Sequence, residues 1–296
     1  MNGIIDMHAH VTARPLEGLH VSSAMPAVLR ERAEASGVTH VIALATSFPY
    51  KRSGMSARSI LELTGRDPFF SVFGTVDMTL SKTELENEFD GLESSLRAGD
   101  ISGIKLYPGY QEFSPSDRSV YPLYEIARAH AAPVMIHGGD LQPCCGRTEH
   151  DRREGSYRCG YAKCPLERDE FLTAPKRVLA AARAFPDVVF VIAHLGNPFF
   201  DELRSVMMRC RNVYTDTSGQ IRTGWPEEDN PRVKERVVAE ISEMLRVRNG
   251  MERVLFGSDF PVQSYADSVD FIDRLPITSS EKDMILFRNA RAILNL

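Results

Sequence analysis

The sequence has no excess of basic residues and no long apolar run. Its 296 residues include 35 Lys and Arg against 40 Asp and Glu, which gives a formal net charge of −5. Without a basic excess, nucleic acid and anionic membrane surfaces are not expected as partners. No apolar stretch approaches the roughly 20 residues of a membrane span, and the first residues show no basic segment followed by an apolar one, so we expect no secretion signal. We therefore expect a cytoplasmic protein, and this composition is compatible with a homo-oligomer.

Cysteine is also scarce, and its distribution is uneven. Four of the five cysteines fall in one polar segment, at about residues 140–169, with the spacing CCx13Cx4C. In a reducing compartment such a group indicates thiols or metal ligands rather than disulfides. The spacing lacks the CxxC pairs of a zinc ribbon, so a structural Zn²⁺ site and free thiols both stay open. The cysteines concerned are Cys144, Cys145, Cys159 and Cys164.

The chain contains eight short apolar runs, each bounded by Gly, Pro, Asp or Asn. Several are apolar at nearly every position, which is typical of parallel strands covered on both faces. Amphipathic segments separate them, as where Leu203, Val206 and Met207 follow helical spacing. The runs begin at Gly3, Val38, Phe69, Ile101, Pro133, Val188, Asn212 and Arg253.

This alternation predicts an α/β fold, and eight repeats favour a (β/α)8 TIM barrel over an open doubly wound sheet. No linker-like segment interrupts it, so we expect a single domain over residues 1–296. The cysteine-rich segment would then be an insertion after the fifth strand. The last residues predict a closing helix, with Ser280 as its N-cap.

Histidines end three of the predicted strands, and a carboxylate follows a fourth. The first strand ends in IIDMHAH, where His8 and His10 are two residues apart and so share one face of a strand. His137 follows the fifth strand, His194 the sixth, and Asp259 the eighth. In a barrel these side chains would converge at the C-terminal ends of the strands, where active sites lie. Each alone could be an ordinary polar residue, but their convergence favours a metal site.

The chemistry of these side chains fits a catalytic divalent cation. Neutral imidazoles and a carboxylate suit Zn²⁺, with Fe²⁺, Mn²⁺ and Co²⁺ as alternatives on the same ligands. Such an ion lowers the pKa of a bound water to about 7. A further group must then move protons, and either Asp259 or His194 could do so.

The order of these residues resembles the amidohydrolase superfamily. The phrases IHGG, IAHLGN, VYTDTSG and LFGSDFP are especially similar to its branch of metal-dependent hydrolases and decarboxylases related to aminocarboxymuconate semialdehyde decarboxylase. The resemblance implies a metal-dependent TIM barrel. It implies metal ligands at His8, His10, His137 and Asp259, and a catalytic or electrostatic role for His194.

Lys105, in GIKLYPGY, lies in the fourth strand and has two interpretations. Binuclear members of the superfamily carry a carboxylated lysine in this strand, which would imply a second metal. An unpaired charge in an apolar strand is costly. Because the resemblance is to the mononuclear branch, we favour a lysine that binds substrate or forms an ion pair. Further substrate-binding candidates, each otherwise a solvated or structural side chain, are Arg52, Arg222, Tyr107, Tyr110 and Trp225.

The sequence thus predicts a metal-dependent hydrolase that acts through activated water on an amide, lactone or ester of a small molecule. A decarboxylase on the same scaffold is the first alternative, and a barrel that keeps its metal without catalysis is the second. Fold and ligands do not separate these three, because function depends on the detail of the site.

Overall fold

Eight parallel strands form one sheet in the computed structural model, which describes residues 3–48, 53–141 and 170–296. Each strand pairs with the next along the chain, so spatial order follows sequence order. All eight coincide with the apolar runs of the sequence. The strands are β1 (Ile4–Ala9), β2 (Val38–Leu44), β3 (Phe70–Gly74), β4 (Gly103–Leu106), β5 (Val134–Ile136), β6 (Phe190–Ile192), β7 (Val213–Asp216) and β8 (Val254–Leu255).

Backbone hydrogen bonds bring the last strand beside the first. The N–H of Met7 donates to the carbonyl of Phe256 at 3.0 Å, and the N–H of His10 donates to that of Phe260 at 2.8 Å. Ala9 and Phe260 form a parallel bridge at the same edge. The sheet is therefore a nearly closed barrel, which confirms the predicted fold class.

Helices cover the outside of the sheet because each carries an apolar stripe. Leu203, Val206 and Met207 are all buried, as their helical spacing predicts. The helices are α1 (Pro26–Ala35), α2 (Ala57–Thr64), α3 (Lys82–Arg97), α4 (Tyr121–Ala129), α5 (Leu179–Ala184), α6 (Phe200–Arg209), α7 (Pro231–Leu245) and α8 (Tyr265–Asp273). Among the residues described, no helix combines the length and apolar character needed to cross a membrane.

The C-terminal segment closes the end of the barrel opposite the strand ends. It contains α9 (Ser279–Asp283), a π-helical turn (Met284–Arg288) and α10 (Asn289–Leu294). Phe287 and Ile293 pack against an inner cluster that includes Met7 of β1. This end of the barrel is therefore packed with apolar side chains.

The predicted N-cap of this segment is wrong. The cap is Thr278, whose hydroxyl oxygen accepts the N–H of Glu281 while the Glu281 carboxylate accepts the N–H of Thr278. Ser280 lies inside the first helical turn. A Thr followed three residues later by Glu forms a reciprocal capping box, which outweighs the serine two positions on.

Two segments at the strand ends are described only in part. Residues Thr46–Phe48 and Ser53–Met55 form a small antiparallel hairpin after β2. The intervening Arg52 lies outside the described residues. So do Cys144, Cys145, Cys159 and Cys164, and the cysteine-rich insertion with its structural zinc therefore stays a prediction.

Candidate functional site

A cavity of about 680 Å³ lies where the strands end. It brings together every described residue of the predicted metal and catalytic set, although these lie on four different strands. Its lining includes His8, His10, His137, His194, Asp259, Lys105, Tyr107, Tyr110 and Arg222.

His8, His10 and Asp259 form a compact group of ligand atoms. One oxygen of Asp259, Oδ1, lies 3.6 Å from His8 Nε2 and 3.3 Å from His10 Nε2. The backbone enforces this closeness, since the N–H of Asp259 donates to the carbonyl of His8 at 2.7 Å. Asp259 itself adopts a left-handed conformation, with φ of +60°, that few non-glycine residues take up. Such conformations tend to persist where the site requires them.

The spacing of these atoms fits a divalent cation. Metal–ligand bonds of about 2.0–2.1 Å at tetrahedral angles place two ligand atoms about 3.3–3.4 Å apart. The two separations to Asp259, 3.3 and 3.6 Å, lie close to that value. Two imidazole nitrogens and a carboxylate oxygen also form a donor set that Zn²⁺ and its neighbours accept.

Asp6 fixes the position of this group from within the barrel. Its buried carboxylate accepts the N–H of His8 at 2.9 Å, and the N–H and hydroxyl of Ser258 at 3.0 and 2.6 Å. Burial raises the pKa of Asp6 to about 7, against these hydrogen bonds, which lower it. The carboxyl therefore ties β1 to the segment that carries Asp259.

His194 reaches the cavity through an unusual backbone turn after β6. His194 and Leu195 both have positive φ, at +61° and +53°. Left-handed backbone costs roughly 1–2 kcal/mol for each L-residue other than glycine. The turn places the His194 ring centroid 4.6 Å from that of His8 and 5.0 Å from that of His137.

Asp216, at the end of β7, is a site residue that the sequence analysis missed. Its Oδ2 lies 2.9 Å from His8 Nδ1, and its Oδ1 accepts the N–H groups of His194 and Ser218 at 3.0 and 3.1 Å. The Ser218 hydroxyl donates to the same carboxylate. A signal was present: β7 ends in VYTDTSG, and a carboxylate in a buried strand must be paired. The rule that located His137 and Asp259, inspection of strand ends, also leads to Asp216.

These hydrogen bonds determine which ring nitrogens carry protons. A carboxylate only accepts, so His8 Nδ1 is the donor to Asp216. The Ser218 carbonyl, 3.3 Å from His194 Nδ1, also only accepts, and the Ser218 hydroxyl oxygen lies 2.9 Å from the same nitrogen. His194 Nδ1 is therefore a donor as well. In their neutral forms both rings keep Nε2 free of a proton.

The protonation states suit this arrangement. Burial, helped by the charge of Lys105, lowers the pKa of His8 to about 3, and burial also lowers the pKa of His194. For Asp216 and Asp259, burial alone would raise the pKa, but the hydrogen bonds of the neighbouring histidines hold each pKa below its ordinary value. At neutral pH His8 and His194 are thus neutral and the two carboxylates are ionised, the forms that bind metals.

His137 lies at the cavity wall but outside the tightest groups. Among the described residues, ligand atoms within 4.8 Å of one another form two sets, His8–His10–Asp259 and His8–His194–Asp216. The Nε2 of His137 lies 3.0 Å from the Asp140 carbonyl and must therefore be the donor there. Its Nδ1 keeps the lone pair in the neutral ring.

Lys105 and three aromatic rings form another part of the wall. The Nζ of Lys105 lies 5.3 Å from the centroid of the Tyr107 ring. Tyr107 donates its hydroxyl to the Ala45 carbonyl at 2.8 Å, so this phenol has a structural task. Phe48 and Tyr110 complete the aromatic group, each edge-to-face with a neighbour.

Arg222 lies at the rim and is already paired. Its guanidinium contacts the Glu228 carboxylate at 2.7 Å through both Nε and an Nη, and lies 4.1 Å from the centroid of the Trp225 ring. The paired charge makes Arg222 a weaker candidate for binding an anion than its position alone indicates. Trp225 is largely exposed and is not among the residues that line the cavity.

Fold and site together define a class: a (β/α)8-barrel enzyme with a histidine and carboxylate centre at the C-terminal ends of its strands. Residues 5–296 match the amidohydrolase family. The chain belongs to that family and is an enzyme of the amidohydrolase superfamily, whose members depend on metals. No curated protein matches the chain significantly in sequence.

Solved structures of similar fold include hydrolases and decarboxylases. A Burkholderia multivorans amidohydrolase with bound zinc has a TM-score of 0.69 and 15% identity, with 99% of each chain covered. The 5-carboxyvanillate decarboxylase of Sphingomonas paucimobilis has a TM-score of 0.67 and 16% identity. A probable 2-pyrone-4,6-dicarboxylic acid hydrolase of Acinetobacter baumannii has a TM-score of 0.65 and 15% identity. Both of these alignments cover 100% of each chain. At these identities the similarity establishes the fold.

Proposed function

We propose that the protein is a metal-dependent hydrolase that uses water to cleave an amide, lactone or ester bond in a small molecule. The observation that carries the proposal is the group His8–His10–Asp259, whose ligand atoms lie within 4.8 Å of one another at the wall of the cavity. These three residues would hold the cation, with His137 Nδ1 as the fourth protein ligand. A divalent cation held there lowers the pKa of water to about 7 and polarises a carbonyl.

The chain's own groups supply the proton transfers. His194 Nε2 carries a lone pair, because Nδ1 donates to Ser218, and it can accept a proton from water or return one to a leaving group. The Asp259 carboxylate, ionised at neutral pH, is the second candidate for this task. Asp216 orients His8 and the backbone of His194 by its hydrogen bonds, so both rings stay in the required tautomer.

Zinc is the metal we propose, with iron, manganese and cobalt as alternatives. Support comes from the donor set and from the Burkholderia multivorans amidohydrolase that was solved with zinc. A second metal bridged by Lys105 has less support. Burial lowers the pKa of Lys105 only to about 8, because nearby carboxylates raise it, so the side chain is an ammonium rather than a metal ligand at neutral pH.

Decarboxylation of a small carboxylic acid is the second candidate. The ammonium of Lys105 lies at the cavity wall without a hydrogen-bond partner among the described residues, which favours a negatively charged substrate. The fold similarity to 5-carboxyvanillate decarboxylase is compatible with the same chemistry. A barrel that binds metal without catalysis is the third and least supported candidate.

Metal analysis followed by a substrate screen tests these proposals. We expect about one equivalent of zinc in the wild type and far less in His8→Ala, because an imidazole ligand is lost. Two equivalents in the wild type that fall to one in Cys159→Ser would assign the second to the cysteine segment.

The screen covers lactones, esters, amides and aromatic carboxylic acids. Product analysis separates hydrolysis from release of CO2. His194→Asn should lower kcat with little effect on zinc content, since His194 has a proton-transfer role. If His194→Asn left every activity unchanged, the catalytic assignment would be refuted, and a wild type without bound metal would refute the metal site.

A further inference from the structure

The Nζ of Lys105 has no hydrogen-bond partner among the described residues, although the side chain is fully buried. Lys105 lies in β4 between apolar residues, and its side chain forms part of the cavity wall. A buried ammonium without a counter-charge is costly unless an anion meets it. An anionic ligand in the cavity would remove that cost.

Asp216 and Asp259 lie near enough to Lys105 for their charges to raise its pKa against the effect of burial, but neither accepts a hydrogen bond from it. Asp216 accepts hydrogen bonds from His8, Ser218 and the backbone of His194. Asp259 faces the imidazoles of His8 and His10. If a divalent cation binds as proposed above, these two carboxylates neutralise it. The ammonium of Lys105 then adds one positive charge to the cavity wall.

The outer charges do not change this balance. Arg222 is neutralised by Glu228 at the rim. Asp140 and Arg236 are exposed, carry opposite charges and also line the mouth. Water screens such exposed charges strongly. The inner wall therefore favours a ligand with one negative charge.

The aromatic rings beside Lys105 indicate the rest of the ligand. Phe48, Tyr107 and Tyr110 all line the cavity, with ring centroids 5.1–6.4 Å apart. Aromatic faces and edges pack well against a flat apolar body. The cavity thus combines a cation with an aromatic surface next to it.

We propose that Lys105 binds the carboxylate of the substrate, and that the substrates are small carboxylic acids with a planar apolar body. The inference rests on the proposed metal-dependent function and narrows its substrate class. Lys105 is then a specificity-determining residue, and its ammonium donates hydrogen bonds directly to the substrate carboxylate. Both the hydrolase and the decarboxylase candidates can act on such a substrate.

Benzoate and benzamide test the proposal, because they share one shape and differ by one charge. Titration calorimetry of the zinc-loaded wild type should show benzoate bound at least ten-fold more tightly than benzamide, about 1.4 kcal/mol. In Lys105→Met the preference should fall below about two-fold. Lys82→Met is the matched control, since Lys82 is 91% exposed on α3 and away from the cavity. It should keep the wild-type preference.

Three results would overturn the inference. The first is a wild type that binds benzoate no better than benzamide, or not at all up to about 10 mM. The second is a preference that survives in Lys105→Met, since the zinc ion alone would then explain it. The third is a large drop in the melting temperature of metal-free Lys105→Met, which would assign the lysine a structural role. Methionine has similar volume, so we expect an equal or higher melting temperature.

Zinc titration separates this inference from the function on which it rests. We expect about one equivalent in both the wild type and Lys105→Met. A wild type without zinc refutes the proposed function. Zinc bound to both proteins with an unchanged benzoate preference refutes only the role of Lys105, and loss of zinc in Lys105→Met alone assigns the lysine to the metal instead.

Discussion

Replacement of Asp216 by asparagine should weaken the proposed metal site without any change to a metal ligand. The amide keeps the shape of the side chain, and its oxygen can still accept the N–H groups of His194 and Ser218. Its NH2 group, however, replaces the oxygen that lies 2.9 Å from His8 Nδ1. The NH2 group and the N–H at His8 Nδ1 are then two donors facing each other. The other tautomer of His8, with its proton on Nε2, avoids this repulsion, but Nε2 is the atom proposed to bind the metal.

The expected cost follows from this change of tautomer. Loss of the partner that orients a metal-binding histidine lowers metal affinity about 10–100-fold, or about 1.4–2.8 kcal/mol. Competition with a chromophoric chelator at neutral pH measures the zinc affinity directly. The ¹⁵N chemical shifts of the His8 ring in metal-free protein supply an independent measurement, with the proton on Nδ1 in the wild type and on Nε2 in Asp216→Asn.

Asp267→Asn is the matched control. The carboxylate of Asp267 accepts hydrogen bonds from Thr223, Lys234 and Ser264 at 2.6, 2.7 and 2.8 Å, and it does not line the cavity. This variant should lose stability and keep its zinc affinity. If Asp216→Asn bound zinc within about two-fold of the wild type, the argument from tautomers would be refuted.

Three further predictions address the cavity, the closing helix and the acid limb of stability. A methyl group on Gly219, where φ is +60°, would lie 2.7 Å from His194 Nδ1. Gly219→Ala should therefore lower kcat and the melting temperature. Unchanged kinetics would contradict this close packing. Thr278→Ala should cost about 1 kcal/mol in urea unfolding because it removes an N-cap, whereas Ser280→Ala should cost far less; equal losses would contradict the capping assignment. Burial alone would raise the pKa of Asp267, but the hydrogen bonds to its carboxylate have the larger effect, so its pKa lies below the ordinary value. The resulting stability is present above about pH 4 and is lost as the pH falls through the lower folded-state pKa, so unfolding curves of Asp267→Asn should depend less on pH in that range.

The barrel could be predicted from the sequence because its signals are local. A parallel strand that is covered on both faces is apolar at nearly every position, and each of the eight such runs becomes a strand. Barrel topology then places the end of every strand in one region. That geometric rule, applied to His8, His137, His194 and Asp259, predicts a shared cavity, and the cavity contains all four.

Hydrogen-bond partners could not be predicted in the same way. His8 and Asp216 are 208 residues apart, and their contact depends on side-chain rotamers and on the positive φ of His194. Sequence periodicity carries information on which face a residue occupies but none on which nitrogen of a ring faces a carboxylate. The tautomers of His8 and His194 determine which ring atoms are available to a metal, and they follow only from the hydrogen bonds of the folded structure.

Lys105 combines both kinds of information. A lysine inside an apolar strand is recognisable from the sequence as a costly feature that some charge must compensate. Which charge does so depends on whether the nearby carboxylates are already engaged, and the structure shows Asp216 and Asp259 occupied by histidine contacts. Among the described residues, neither carboxylate accepts a hydrogen bond from the ammonium, and a bound divalent cation would offset their charge. On the proposed role of Lys105, a bound ligand supplies the remaining negative charge, and the buried lysine then constrains the substrate more strongly than the histidines do.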